Sequence, residues 1–253
     1  MQKYGQHFLI NESVITQIVD AALLLRAENL MEIGPGKGAL THALAARGQR
    51  DFLAVEIDPE MVQTLQRNLP QEANVKIVQQ DFLSFDLKKI PQVPTEFVSN
   101  LPYIDAAEIL NKVLSWPYFK TAVFMFQKEQ AQKITALPGD EFYGPLSILT
   151  QLRARVSLVC NVGRGSFNPP PKVESRVLAF EKIPAPAVPW EKLEKLVGAA
   201  FLHRRKTLLN AWDLAGYGKE KILTALQDLH LMKTIRPEQV APGVYVSLCQ
   251  RIS

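Results

Sequence analysis

Apolar side chains recur at helical spacing in "ESVITQIVDAALLLR", residues 12 to 26, where Asn11 or Ser13 can supply the N-cap. "NLMEIG" then forms a short, unbroken apolar run ended by glycine, the pattern of a strand buried on both faces. "ALTHALAARG" predicts a helix closed by Gly48, "DFLAVEID" a second strand, and "PEMVQTLQRNL" a helix with Pro59 in its first turn. "VKIVQQD" and "EFVSN" predict a third and a fourth strand, "AAEILNKVL" a helix, and "TAVFMFQ" a further apolar strand. After these come the helical "KEQAQKITA", a loop "LPGDEFYGP", and "LSILTQLRARVSLV", which suits either one long helix or a helix–strand pair. Such alternation predicts an α/β domain built on a doubly wound, mostly parallel sheet.

The pattern changes at "KIPAPAVPW", where prolines cluster without periodicity, as in a linker. Beyond it "EKLEKLVGAAFL", "RKTLLNAWDLA", "KEKILTALQDL" and "RPEQVAPGVYVSLCQ" all read as helical. The division expected from this is a catalytic domain over residues 1–184 and a small all-helical domain over 185–253. At 253 residues the chain is long enough for both. Apolar residues at 47% and charged residues at 21% belong to an ordinary globular protein. A net charge of +4 suits a polyanionic partner, and bears on association rather than on fold. The isolated Cys160 and Cys249 form neither a disulfide framework nor a zinc-binding spacing, so no metal is expected. "MQKYGQHFLINES" lacks the apolar core of a secretion signal, and no apolar run approaches the roughly 20 residues of a membrane span. The expectation is a soluble, cytoplasmic protein without a membrane partner.

Candidate chemistry begins at "MEIGPGKGALT", where Gly34, Gly36 and Gly38 lie between a strand and a helix. Glycines there admit a ligand close to the backbone and present amide hydrogens at a helix start. The spacing is G-x-G-x-G rather than the dinucleotide G-x-G-x-x-G, which disfavours a nicotinamide enzyme. About twenty residues on, "LAVEIDP" ends the second strand with Glu56, a carboxylate able to accept both ribose hydroxyls. The plainer alternative is that Glu56 or Asp58 caps the next helix. "VQQDFL" puts Asp81 at the end of the third strand, where it can accept from an adenine amino group or merely serve a turn; Phe82 can flank the ring. Ligands of open α/β sheets bind at the carboxyl ends of strands. Four strand ends carrying such residues read together as an S-adenosylmethionine site.

The fourth strand ends in Asn100-Leu101-Pro102-Tyr103. The amino group of adenine is a poor nucleophile because its lone pair is delocalised into the ring. An enzyme that methylates it must hold the amine in line and make it more pyramidal. The Asn100 side-chain oxygen and the Leu101 carbonyl suit the two N–H groups, Pro102 stiffens the loop, and Tyr103 offers a stacking face. The alternative is a proline turn with a core tyrosine. In "GRGSFNPPPKVES" the prolines predict an extended loop from which Phe167 projects as a second stacking face, or else a loop whose phenylalanine plugs the core. Lys172, with Arg164 and Arg176 nearby, can meet phosphates. "HRRKTLLN" reads as a basic turn of helix carrying Arg204, Arg205 and Lys206, with Leu208 and Leu209 facing inward; such runs are either solvated faces or RNA contacts.

The segments "GQHFL", "EIGPGKGALT", "AVEID", "QQDFL", "NLPY", "SFNPPPKVES" and "FLHRRKTLLN" occur in the order found in KsgA-type small-subunit rRNA adenine N6,N6-dimethyltransferases, which this chain resembles over nearly its whole length. The resemblance implies a Rossmann-like S-adenosylmethionine-dependent methyltransferase domain, S-adenosylhomocysteine as product, and no metal. It implies dimethylation of two adjacent adenosines in a hairpin near the 3′ end of small-subunit rRNA, by a monomer acting on an immature small subunit. It further implies that His7, Leu9, Gly34, Glu56, Asp81 and Asn100 contact the cofactor, and that Asn100, Leu101, Tyr103 and Phe167 hold the target base. It favours an RNA-facing role for Arg204, Arg205 and Lys206. The chain departs from the family after Tyr103, where Ile104-Asp105-Ala106-Ala107 replaces the usual Asn-Ile-Ser. That departure bears on rate, methylation order and target choice rather than on reaction class. The rival readings are an Erm-type large-subunit rRNA methyltransferase and a ribosome-assembly factor that binds without catalysing.

Overall fold

The structure, a computed structural model, describes residues 7–24, 26–47, 51–70, 73–203 and 205–252. Its elements in chain order are β1 (Phe8–Leu9), α1 (Glu12–Leu24), β2 (Asn29–Ile33), α2 (Ala39–Arg47), β3 (Asp51–Glu56), α3 (Pro59–Asn68), β4 (Val75–Gln79), β5 (Thr95–Asn100) and α4 (Ala106–Ser115). They continue with β6 (Phe119–Gln127), α5 (Lys128–Thr135), α6 (Pro145–Gln151), β7 (Ala154–Val162), β8 (Phe167–Asn168) and β9 (Ser175–Lys182). The remaining helices are α7 (Trp190–Phe201), α8 (Leu208–Leu214), α9 (Lys219–Asp228) and α10 (Pro242–Ile252). The chain divides into two compact units: the described parts of Met1–Ala131 with Arg155–Lys182, and Gln132–Ala154 with Ile183–Ser253. Residues 132–154, which precede the proline linker in sequence, thus cluster with the helices that follow it.

The first unit is organised by a seven-stranded sheet in the order β4-β3-β2-β5-β6-β9-β7. Strands β4, β3, β2, β5 and β6 are parallel, and β9 joins β6 antiparallel with Ser175 opposite Gln127. Their burial explains the continuous apolar runs: Phe97, Val98, Val123, Phe124, Met125 and Phe126 are fully buried. The chain moves outward from β2 to β3 and β4, then returns to the other side of β2 for β5. Right-handed crossovers therefore set α2 and α3 on one face and α4 on the other. Leu40 and Leu44 of α2 pack with Val14, Ile18 and Val19 of α1. Asn11 is the cap of α1, its Oδ1 accepting the Val14 amide at 3.3 Å. Asp58 caps α3 by accepting the Glu60 amide at 2.9 Å, with Pro59 in the first turn.

One open alternative is decided by the structure, and one element is added to the sequence reading. "LSILTQLRARVSLV" resolves into the pair α6 and β7. Strand β9, "SRVLAFEK", lies between the proline loop and the linker, where the sequence reading assigns no element because the short apolar run carries no period of its own. Its identity comes from pairing with β6. Gly48, expected to close α2, lies outside the described residues.

In the second unit Trp212 and Tyr245 are fully buried among Leu193, Leu196, Leu208, Ile222 and Leu248. Their polar ends are satisfied: Trp212 Nε1–H donates to the Leu196 carbonyl at 2.9 Å, and the Tyr245 hydroxyl to the Pro237 carbonyl at 2.8 Å. The Arg153 guanidinium lies 3.6 Å from the centre of the Trp190 ring, and burial lowers its pKa to about 10, the Glu194 charge opposing. Neither Cys160 nor Cys249 is joined in a disulfide. Among the described residues no helix is long and apolar enough to cross a membrane.

Gly38 shows how tightly α2 and α3 are set against the loop after β2. It has φ +87°, and a Cβ there would stand 2.5 Å from Leu65 Cδ1 and 2.7 Å from His42 Cε1. Gly38→Ala is expected to destabilise the protein by about 1–3 kcal/mol, the scale of a left-handed non-glycine backbone with side chains forced to move. Chemical denaturation of the full chain checks this; an unchanged midpoint would show that the loop relaxes freely.

Candidate active site

Strand order reverses at β2, so the loops leaving β2 and β5 diverge and open a crevice at the carboxyl edge of the sheet. Gly34 opens the first loop with φ +63°, its N–H donating to the Val55 carbonyl at 2.9 Å, and nothing lies within 4 Å of where a Cβ would be. The Gly36 amide donates to Glu56 Oε2 at 2.9 Å, and the Asp58 amide to Glu56 Oε1 at 2.9 Å. Glu56 is thereby held at the end of β3 and is only 2% exposed. Burial raises its pKa, while the amides of Asp58, Gly36 and Ile57 oppose that rise by stabilising the carboxylate. Of this acidic pair, Asp58 makes the helix cap, as the plainer alternative has it, and Glu56 braces the glycine loop.

A second carboxylate, Glu32, escaped the sequence reading because it sits inside an apolar run. It is 1% exposed, and Oε2 has no hydrogen-bonding partner among the described residues. Burial raises its pKa to about 8, with Thr41 lowering it and the Glu56 charge adding to the rise. Phe8 was also missed. Its ring comes within 3.3 Å of the position of a Gly36 Cβ and lies 4.3 Å from the Lys37 ammonium, so it covers the glycine loop.

Asp81 follows β4 and is exposed; its Oδ1 accepts the Leu83 amide at 2.9 Å, which makes the turn its alternative reading required. Phe82 is 4% exposed, its ring set edge-on to Phe97 with centroids 6.5 Å apart. The turn after β4 therefore presents Asp81 to solvent and keeps the Phe82 ring inside.

At the end of β5, the Asn100 Nδ2 donates to the His7 carbonyl at 3.1 Å. That bond sets the flip of the amide and leaves Oδ1 as its acceptor end. Leu101 is 2% exposed, and its N–H reaches the Met125 carbonyl at 3.4 Å. Ser99 ties β5 to β2 by donating to the Ile33 carbonyl at 2.5 Å. Tyr103 is half-buried, its hydroxyl 3.1 Å from Ser175 Oγ, and burial raises its pKa. The Tyr103 and His7 rings lie 5.9 Å apart, inclined by 30°. His7 Nδ1–H donates to the Pro169 carbonyl at 2.9 Å, so the proline loop and the amino-terminal segment together hold Asn100 and Tyr103. Ile104, where the chain departs from the family, is 95% exposed, and Asp105 makes no side-chain cap to α4.

Leu9 and Phe167 are placed differently from a projecting loop. They are register partners in the β1–β8 ribbon, only 5% and 3% exposed, and belong to the core around Val14, Val98 and Met125. Apolar burial outweighs presentation of a free ring at Phe167. Lys172 and Arg164 are exposed, while Arg176 Nε donates to Asn161 Oδ1 at 3.0 Å. In the second unit Arg205 and Lys206 are exposed, and Arg204 lies outside the described residues. The described Arg205 and Lys206 lie in a turn between α7 and α8 rather than in a turn of helix. The physical reason is Thr207, whose Oγ1 accepts the Asn210 amide at 3.3 Å and starts α8 after the basic residues. Leu208 and Leu209 are buried, as expected.

Comparison with known proteins agrees with this geometry. The family model described as ribosomal RNA adenine dimethylase matches residues 1–244. A protein of Prochlorococcus marinus (strain MIT 9313) named ribosomal RNA small subunit methyltransferase A is 36% identical, the match covering 100% of this chain and 94% of that protein. One of the same name from Pseudomonas putida is also 36% identical, over 100% of this chain and 94% of its own length. Among solved structures, a dimethyladenosine transferase from Plasmodium falciparum superposes with TM-score 0.83 at 27% identity, covering 96% of both chains. The 23S rRNA methyltransferase ErmE superposes with TM-score 0.76 at 28% identity, covering 97% of this chain and 99% of that one. The reversed strand order, the braced glycine loop and the Asn-Leu-Pro-Tyr turn are thus features of a chain that belongs to the ribosomal RNA adenine dimethylase family.

Proposed function

We propose that this protein dimethylates N6 of adenosines in small-subunit rRNA with S-adenosylmethionine as methyl donor. The observation that carries the reading is the Asn100 amide, held by the His7 carbonyl at the carboxyl end of β5 and beside the strand whose loop Glu56 braces. The residues of the crevice fit an adenosyl amino acid. Gly34 leaves room for close approach, Glu56 presents a carboxylate for ribose hydroxyls, Asp81 is open toward an adenine amine, and the unpaired Glu32 Oε2 suits a cationic group. When bound, S-adenosylmethionine supplies an electrophilic methyl and leaves as S-adenosylhomocysteine.

The chain's own task is to prepare the acceptor. Asn100 Oδ1 and the Leu101 carbonyl accept the two N–H bonds of the adenine amine and draw its lone pair out of conjugation. Tyr103, braced by Ser175 and His7, supplies an apolar face for a base taken out of its stack. No side-chain base is needed, because the methylated amine is acidic and loses its proton readily. The finer reading rests on family resemblance: two adjacent adenosines near the 3′ end of the RNA, met by a monomer on an immature small subunit in the cytoplasm. In it Lys172, Arg205 and Lys206 contact RNA phosphates, and Arg204 joins them. The large-subunit alternative has the same fold, and the names of the full-length relatives favour the small subunit.

Three measurements test the reading. Glu56→Ala is expected to weaken S-adenosylmethionine binding by about 1–3 kcal/mol, the scale of losing a charged hydrogen-bonding partner. Calorimetry on the folded variant checks it, and unchanged affinity would remove Glu56 from the site. Asn100→Ala is expected to slow transfer about 10²-fold while RNA affinity stays near wild type, with Asn100→Asp intermediate. Single-turnover methylation of small-subunit rRNA, followed by nucleoside mass spectrometry, decides between transfer and mere binding. Neutralising Arg204, Arg205 and Lys206 together is expected to lower RNA affinity and flatten its salt dependence, with cofactor affinity unchanged. An unaltered salt slope would make this run a solvated turn.

A further inference from the structure

Helix α4 begins directly after the Asn100–Tyr103 turn, and two turns along it Lys112 is half-buried rather than solvated. Its ammonium donates to three backbone carbonyls of one short segment: Phe82 at 2.7 Å, Leu83 at 2.7 Å and Phe85 at 2.6 Å. An ammonium has three N–H donors, so this set uses all of them. The Phe82 ring lies 5.1 Å from the same nitrogen. Within the segment, the Phe85 amide donates to the Phe82 carbonyl at 3.1 Å, the Leu83 amide to Asp81 Oδ1 at 2.9 Å, and the Ser84 hydroxyl to the Asp81 carbonyl at 3.0 Å. The turn that presents Asp81 is therefore wrapped around a single cation, much as a loop wraps a bound metal ion. Burial lowers the Lys112 pKa, and the Asp81 and Asp86 charges oppose that by favouring its protonated form.

We infer that Lys112 is a positioning residue for the adenine end of the cofactor site, holding the Asp81–Phe85 turn from the helix that leads out of the base clamp. The inference rests on the reading of the crevice as an S-adenosylmethionine site. Three carbonyls converging on one point repel one another unless a cation sits between them. Removing the cation makes the turn open toward water, and Asp81 moves with it because its Oδ1 is bonded inside the turn. Arginine does not replace the geometry: its planar fork cannot direct three N–H groups to carbonyls gathered around one atom. One rigid helix then links two functions, since its first residue follows the loop that holds the target base and its seventh sets the loop facing adenine.

The test compares wild type with Lys112→Met and Lys112→Arg by calorimetry, using S-adenosylmethionine and 5′-methylthioadenosine, which keeps the adenosine end and lacks the amino-acid end. Lys112→Met is expected to weaken both by about tenfold or more, and Lys112→Arg by a smaller factor in the same order. In steady-state methylation, the KM for S-adenosylmethionine should rise by a similar factor, with kcat at saturating cofactor and the KM for RNA staying within about twofold. Hydrogen exchange at the Leu83 and Phe85 amides should quicken in both variants. Should Lys112→Met fail to fold, Lys112→Arg carries the comparison by the same readouts. Unchanged affinity for 5′-methylthioadenosine in a folded variant overturns the inference, as does a fall in kcat without a rise in the KM for cofactor. If wild type itself binds neither ligand, the cofactor reading fails rather than the role of Lys112 alone.

Discussion

Strand β2 has β3 on one side and β5 on the other, and the chain reaches these neighbours by crossovers that run in opposite directions. Loops leaving adjacent parallel strands usually cover the sheet edge between them. Here they part and leave a crevice between Gly34 and Asn100, bordered by the amino-terminal segment with Phe8 beside Gly36 and His7 bonded to Asn100. Everything chemical in the first unit depends on that opening. The glycines reach left-handed conformations because the chain must turn sharply out of β2, and Gly38 has no room for a Cβ because α2 and α3 close in behind it.

Two carboxylates lie deep in this part of the fold. Glu32 and Glu56 are nearly as buried as the surrounding valines and leucines, and burial raises the pKa of both. Glu56 is stabilised by the amides it receives, and by holding Gly36 it keeps the loop in shape. Glu32 retains an oxygen without a partner among the described residues. A buried acceptor left unpaired is destabilising in the folded protein.

The acceptor side follows a different rule. Asn100, Leu101 and Tyr103 are placed by contacts from segments distant in sequence: His7 before α1, Met125 in β6, Ser175 at the start of β9, and Pro169 behind His7. Such bracing fixes direction, which a transfer reaction needs more than charge. The exposed Ile104 and the uncapped Asp105 stand just beyond this braced part. The change from the family sequence therefore falls where the Asn100–Tyr103 turn meets solvent and leaves the bonds that orient Asn100 intact.

Much of this was legible along the chain because local rules and tertiary structure agree. Apolar runs ended by glycine or by Glu56, Asp81 and Asn100 marked the strands and the edge where their polar ends gather. Pro59 and Asp58 marked the start of α3, and the order of the motifs marked the family. Other features depend on packing that no local pattern encodes. Phe167 was open to two readings beside its prolines, and packing decides for the ring that plugs the core, since an aromatic ring gains more from burial than from solvent. The strand β9 has an ordinary apolar run and acquires its place only by pairing with β6. Residues 132–154 join the helices that follow the proline linker, and Lys112 takes its place from the carbonyls of Phe82, Leu83 and Phe85, on a different segment of the chain. Periodicity reports which face of an element is apolar. Which distant segment supplies the partner is a property of the folded chain.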